Sequence, residues 1–296
     1  ELEEPAPAET PAPPTPPSAP APPRPRNRWW IAAVASLLLL AVAGGLSWLL
    51  RPVASFGPLT ARPITSDPGS ERDPDISPDG KYVAYSYVAP NLSTRIQVRL
   101  IDAAGEARAI TGAPDNEWSP VWTPDGTKVA FLRGDPSGEV SLHVVSALGG
   151  QERQVTAGLR PYARRRTLLV GHLLAMMPDG RHVVVPHRTE NTKGRLFLVS
   201  LESGERRPIT TPAEAQYDVE PSLSADGRLL LFNRIRGEYL SEVFVQKLAA
   251  DGTAVGEPRM LPRAGRWNGT PRFLENRREV LVCAGSLPRL ALWRVA

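Results

Sequence analysis

The 296-residue chain carries 35 Lys and Arg against 31 Asp and Glu, a formal net charge of +4, with 42 % hydrophobic residues, 32 prolines and one cysteine. A lone Cys283 excludes a disulfide framework and reads as core packing in a buried-strand pattern. The small positive excess is spread along the chain, and the run Arg164-Arg165-Arg166 reads as a solvated loop, so the composition argues against a nucleic-acid face, which would cluster basic residues with exposed aromatics.

Residues 1–28 hold eleven of the prolines among Ala, Glu and Thr, and open on Glu1 instead of Met, the mark of an excerpt or a processed product. Such a stretch buries no core and is expected to be a semi-rigid linker. Arg24, Arg26 and Arg28 lead into an uncharged run of 22 residues, 29 to 50, with Trp29, Trp30 and Trp48 near its ends. At ~1.5 Å per residue, a helix of that length crosses a hydrocarbon core of ~30 Å. The expectation is one transmembrane helix with a cytoplasmic N-terminus, because the arginines precede the span and only Arg51 follows it closely. Next comes Leu59-Thr60-Ala61-Arg62-Pro63-Ile64-Thr65, which reads as a solitary outer strand.

From there the chain repeats itself. Pro74-Asp75-Ile76-Ser77-Pro78-Asp79-Gly80-Lys81 returns as Pro120-Val121-Trp122-Thr123-Pro124-Asp125-Gly126-Thr127, and again around Asp179-Gly180 and Asp226-Gly227. A worn fifth copy has Asn276-Arg277 at the turn. The aligned positions 79, 125, 179, 226 and 276 are 46, 54, 47 and 50 residues apart. Each Pro-Asp-Gly predicts a tight hairpin: proline presets φ, aspartate bonds its own backbone, and glycine takes φ > 0. Apolar runs such as Val83-Ala84-Tyr85 and Val129-Ala130-Phe131 follow, then a third strand (Ile96–Leu100, Leu142–Val144, Leu196–Leu198, Val243–Val245) and a Gly turn. A fourth strand closes the unit with the refrain Ala109-Ile110-Thr111, Gln154-Val155-Thr156 or Pro208-Ile209-Thr210. Four strands at this period predict an all-β domain over residues 58–296, a β-propeller with five visible repeats. Leu59–Thr65 would complete the last blade of a five-bladed ring, or the ring is larger than the five repeats.

The Pro-x-x-Ser-Pro-Asp-Gly-Lys core resembles the WD-like propeller repeats of TolB and its relatives, over roughly residues 58–296. The third copy departs from it, with Leu174 in place of the first proline, as does the fifth with Arg277 in place of glycine. The whole layout resembles membrane-anchored TolB-like regulators of bacteria. In these, a cytoplasmic winged-helix DNA-binding domain of the CadC-like arrangement, or a Ser/Thr kinase, precedes the linker, one helix and the propeller. The resemblance implies an inner-membrane protein with a periplasmic sensory or protein-interaction propeller. An anchored envelope scaffold is the alternative, and the accessory propeller of a lost peptidase domain a remote one.

The chain offers little for catalysis. There is no Gly-x-Ser-x-Gly elbow, no phosphate-binding loop and no dinucleotide fingerprint, and His143, His172, His182 and His187 form no metal-ligand pattern. No cofactor is expected. The turn role accounts for Asp79, Asp125, Asp179 and Asp226. Glu71, Glu117, Asp218 and Asn268 stand three residues before the repeat prolines Pro74, Pro120, Pro221 and Pro271. Loops leading into the inner strands would gather them at a channel mouth, where they would hold a small cation or a basic partner segment, or be ordinary polar loop residues.

Overall fold

The computed structural model describes residues 33–41, 63–65, 67–102, 106–112, 116–161, 172–188, 193–237, 240–262, 267–274, 279–286 and 289–295. The chain divides into two units, Glu1–Arg62 and Pro63–Ala296. In the first, residues 33–41 are helical and exposed, and the rest of the linker and of the apolar run lies outside the described residues. Among the described residues no helix is long and apolar enough to cross a membrane.

The second unit is all β and falls into five blades. Blade 1 is β1 (Ser70–Ile76), β2 (Tyr82–Val88), β3 (Thr94–Leu100) and β4 (Arg108–Ala109). Blade 2 is β5 (Asn116–Trp122), β6 (Lys128–Gly134), β7 (Val140–Ser146) and β8 (Arg153–Leu159). Blade 3 is β9 (Ala175–Met176), β10 (His182–Arg188), β11 (Gly194–Ser200) and β12 (Arg206–Pro208). Blade 4 is β13 (Tyr217–Leu223), β14 (Leu229–Gly237), β15 (Leu240–Leu248) and β16 (Ala254–Met260). Blade 5 has three strands, β17 (Trp267–Phe273), β18 (Val280–Ser286) and β19 (Arg289–Val295).

Within each blade the strands run antiparallel in chain order. One parallel bridge, Gly194 to Tyr217, joins blades 3 and 4 into an eight-stranded sheet. Among the described residues the sheets do not close into a ring. Pro63, Ile64 and Thr65 of the expected closing strand are irregular, and its residues 59–62, like the Asn276-Arg277 turn, lie outside the described residues.

Blades pack face to face through apolar clusters, because the second and third strands are apolar on both faces. Ala84, Ile96 and Val98 of blade 1 meet Trp122, Val129 and Phe131 of blade 2. Leu132 and Leu142 meet Val183, Val185 and Val199 of blade 3, whose other face gives Val184 and Leu196 to Phe232 and Phe244 of blade 4. Leu231 and Val243 meet Val280 and Val282 of blade 5. On the opposite face of blade 1, Val83, Tyr85 and Tyr87 form a cluster of their own. Among the described residues no apolar cluster joins blade 5 to blade 1.

The Asp-Gly turns have two jobs. In the first, Gly80 N donates to Ser77 O at 2.8 Å, and Asp79 Oδ1 accepts from Ser77 Oγ at 2.6 Å and Lys81 N at 3.1 Å. Asp125 and Asp226 repeat this with Thr123 and Ser224, while Asp179 takes His182 Nδ1 at 2.7 Å. The turns also stack from blade to blade. Gly227, at φ +67°, lies against the preceding blade's turn, where an added Cβ would stand 2.8 Å from Pro178 Cδ. Gly80, at φ +72°, faces open space. Gly80→Ala should therefore cost about 1 kcal/mol, the left-handed penalty alone, and Gly227→Ala about 2–3 kcal/mol, because Pro178 must also move. Urea unfolding of the two variants checks this, and equal losses would show that the stacking is slack.

Candidate functional site

The inner strands of four blades share a backbone irregularity. The residue before the repeat proline has positive φ: Asp73 at 51°, Ser119 at 52°, Glu220 at 54° and Thr270 at 49°. Each sits in a register shift against the second strand of its blade. Proline bars the preceding residue from the right-handed helical region, and the left-handed one costs about 1 kcal/mol or more for a residue with a Cβ. What offsets that strain is contact with the next blade. Asp73 Oδ2 accepts Ser119 N at 3.2 Å, Ser119 Oγ accepts Leu173 N at 3.2 Å, and Glu220 Oε2 accepts Thr270 N at 2.6 Å. The third blade has Leu173 in this place, with no polar atom to pass the link on. Asp75 adds a second fastener: its Oδ2 accepts Trp122 N at 2.8 Å, and its carbonyl accepts the Trp122 indole at 3.1 Å.

Charged groups from four blades interact here. Burial pushes the Asp75 carboxyl up to about 6, against the opposing pull of the Trp122 amide and the Arg272 charge. Burial also raises Asp73. His172 is pushed down to about 4, first by burial and then by Arg272, and its Nε2 has no hydrogen-bond partner. Burial lowers Arg272 below the usual guanidinium value, while the charges of Glu220 and Asp75 act to raise it. Arg272 on β17 and Asp75 on β1 occupy the same repeat position, directly after the proline, and interact electrostatically, though among the described residues no ladder joins the fifth and first blades. Among the described residues no group of three or more His, Cys, Asp or Glu side chains is placed to hold a metal ion.

Glu117 and Asp218 lie in an environment unlike the open loop expected for them. Both are strand residues, 0 % exposed, each claimed by the arginine directly across its hairpin. Asp218 takes Arg234 Nε at 2.7 Å and Nη2 at 2.9 Å in a fork. Glu117 Oε1 takes Arg133 Nε at 3.0 Å and also Nη2, which bonds Glu152 as well. Each acid also receives the refrain threonine of the preceding blade, Thr111 for Glu117 and Thr210 for Asp218. The third strand of that preceding blade completes the latch: Ile96 N donates to Thr111 Oγ1 at 2.9 Å and Glu117 Oε2 at 3.1 Å, and Leu196 N to Thr210 Oγ1 at 3.0 Å. Threonine, acid and arginine thus pin one blade to the next at two seams. Glu71 faces Tyr87 with no arginine opposite, and its Oε1 is buried without a hydrogen-bond partner. Asn268 faces Ala284 in the β17–β18 ladder.

A second set of residues interacts across blades at the repeat-proline position: Asp73, Asp75, Glu220 and Arg272 flank a proline, and His172 stands two residues before Leu174, which replaces one. The signal in the sequence is chemical: Asp75 and Arg272 are charged where other copies carry Val121, Ala175 or Ser222, and Asp73 and Glu220 where others carry Ser119, Leu173 or Thr270.

No family model and no curated protein matches the chain. Among solved structures, a protein assigned as TolB in Agrobacterium tumefaciens is similar with a TM-score of 0.58 at 17 % identity, over 75 % of this chain and 72 % of that one. TolB from Acinetobacter baumannii gives 0.56 at 15 %, over 73 % of this chain and 51 % of its own. A prolyl endopeptidase gives 0.52 at 15 %, with 77 % of this chain covering 34 % of that one. The chain therefore spans about half the length of the second neighbour and a third of the third. At these identities the likeness establishes the fold, and that fold is the TolB-like β-propeller.

Proposed function

We propose that residues 63–296 are the periplasmic protein-binding propeller of a single-pass bacterial membrane regulator, with residues 1–28 on the cytoplasmic side and no catalytic role in this segment. The observation that carries this reading is the order of parts: Arg24, Arg26 and Arg28, then the uncharged run 29–50, then a TolB-like propeller. The fold supports binding to proteins, since its acidic inner-strand residues serve as fasteners between blades and leave the outer faces for partners. An output domain ahead of residue 1, winged helix or kinase, belongs to the same proposal. An envelope scaffold with the same anchor differs only in lacking that output.

Orientation is the decisive test. A reporter active only outside the cytoplasm, fused after Ala296, should be active in a bacterial host, and the same reporter fused before Glu1 should be silent. The reverse pattern on stably expressed fusions would overturn the proposal.

A further inference from the structure

Two repeated contacts close the seams between blades 2 and 3 and between blades 3 and 4; at the seam between blades 1 and 2 the first is looser and, among the described residues, the second is not made. At the later seams the turn after the third strand presses into the preceding blade. A Cβ on Gly204 would collide with the Val155 carbonyl oxygen, and one on Gly252 would stand 2.7 Å from Leu198 Cδ2. The corresponding Gly149 packs less tightly: a Cβ there would stand at ordinary van der Waals distance, 3.6 Å from Ile110 Cα. The second contact is made by the arginine three residues before the refrain threonine. Arg153 donates to the Leu201 carbonyl at 2.6 Å, and Arg207 to the Asp251 carbonyl and, at 2.8 Å, to Thr253 Oγ1. Arg108 holds that position in blade 1 and lies over Gly149, and among the described residues it makes no hydrogen bond or ion pair.

Where the turn packs more loosely and Arg108 is unengaged, a cleft of about 940 Å³ opens between the two blades. Trp122 lies in its lining beside Tyr82, Leu100 and Leu148, and Leu148 is 72 % exposed. Its charged groups are Asp79, Asp125 and Glu106 against Arg108 alone. Hydroxyls of Ser77 and Thr123 hold the first two carboxyls below the usual range, so both are ionised at neutral pH. Lys81 approaches Asp79 at 3.9 Å from solvent, with 70 % of its side chain exposed, and Lys128 acts on Asp125 from outside the lining; both exposed lysines offset those charges weakly.

We infer that this cleft docks an extended peptide segment of a partner protein, carrying an apolar side chain beside a lysine or arginine. The apolar side chain covers Leu100, Leu148 and Trp122, and exposed apolar surface of this kind marks an interaction site. Three carboxylates facing one guanidinium attract a cationic side chain and repel an acidic one. Arg108 gives the segment what Arg153 and Arg207 give the next blade's turn, a donor to a backbone carbonyl. The volume suits a few side chains and no more. This inference names the partner chemistry for the protein-binding reading and rests on it.

The test uses the full chain in detergent micelles and two fluorescein-labelled decapeptides of alternating alanine and proline. One carries a leucine and an arginine, the other the same leucine with glutamate. Anisotropy should show the basic peptide binding about tenfold or more tightly than the acidic one, and weakening as salt rises. Leu148→Ser, which removes the apolar contact without adding charge, should weaken the basic peptide about tenfold with unchanged melting, since Leu148 is exposed, and Arg108→Ala should weaken both peptides. If melting does change, Leu148→Asn carries the same expectation. Equal binding of the two peptides, no saturable binding of either, or a Leu148 variant that binds as the parent does would overturn the inference. Self-association of the chain abolished by Leu148→Ser would overturn it as well, by giving the cleft to a second copy. None of these outcomes bears on membrane orientation, which the reporter fusions read separately.

Discussion

Arg234→Ala should destabilise the protein by about 3–5 kcal/mol at neutral pH, the usual range for removing one partner of a buried pair. The loss has two sources. Asp218, 0 % exposed, would keep a charge that the two guanidinium bonds now stabilise. The guanidinium also lies over Phe232 and Phe244, 5.5 and 4.7 Å from their ring centroids, and that packing goes with it. The deficit should shrink on acidification. Burial already raises the Asp218 carboxyl above its ordinary value with Arg234 present, and without Arg234 it rises further. A group whose folded pKa is raised contributes stability that is present at low pH and lost as pH climbs through that pKa. Parent and variant should therefore converge towards pH 4 and separate towards pH 8. Urea unfolding across that range checks the prediction, and a loss that does not change with pH would mean that Asp218 finds another partner. Glu71→Gln supplies the contrast: with no arginine opposite it, that exchange should cost under about 1 kcal/mol.

The repeat was legible because turn chemistry and strand alternation are local. Pro-Asp-Gly fixes a hairpin whatever surrounds it, and a 46–54-residue interval between such hairpins leaves room for four strands. The acid three residues before each proline was legible as a recurring position. Its environment was not, because burial there depends on the register between strands one and two. That register sets Glu117 against Arg133 and Asp218 against Arg234, each arginine eight residues after the turn aspartate. The same count gives Tyr87 opposite Glu71 and Ala284 opposite Asn268, so two of the four positions lack the cation altogether. The group of Asp75, His172 and Arg272 was invisible for another reason. Its members come from three repeats, at sequence separations of 97 and 100 residues, and no local rule couples them. The open cleft between blades 1 and 2 depends on a difference of about an ångström in how closely one turn approaches its neighbour, which the residue types at Gly149, Gly204 and Gly252 do not reveal.

Asp75 and His172 set opposite pH dependences in the same interval, and each should appear when the other is removed. Asp75 is raised from 3.8 to about 6. The folded state holds that proton where the unfolded chain has lost it, so its contribution is complete below pH 3.8 and falls away as pH rises to about 6. His172 is lowered from 6.5 to about 4. There the unfolded chain takes up the proton first, so stability rises with pH between about 4 and 6.5. Each shift corresponds to about 3 kcal/mol across its window at ~1.36 kcal/mol per pH unit. The two nearly cancel, so their joint contribution is nearly flat between pH 4.5 and 6.5. Asp75→Asn leaves the histidine term exposed, so that variant should gain stability as pH rises. His172→Gln leaves the aspartate term, so its stability should fall over the same range. Arg272 and Glu220 remain in both variants, and Asp73 keeps its bond to Ser119, so the comparison isolates the two groups. Urea unfolding of parent and variants at pH 4.5, 5.5 and 6.5, in the same micelles, reads the slopes directly. Slopes of the same sign in the two variants would show that these side chains titrate in the folded protein as they do in water, and that the buried surroundings assigned to them are wrong.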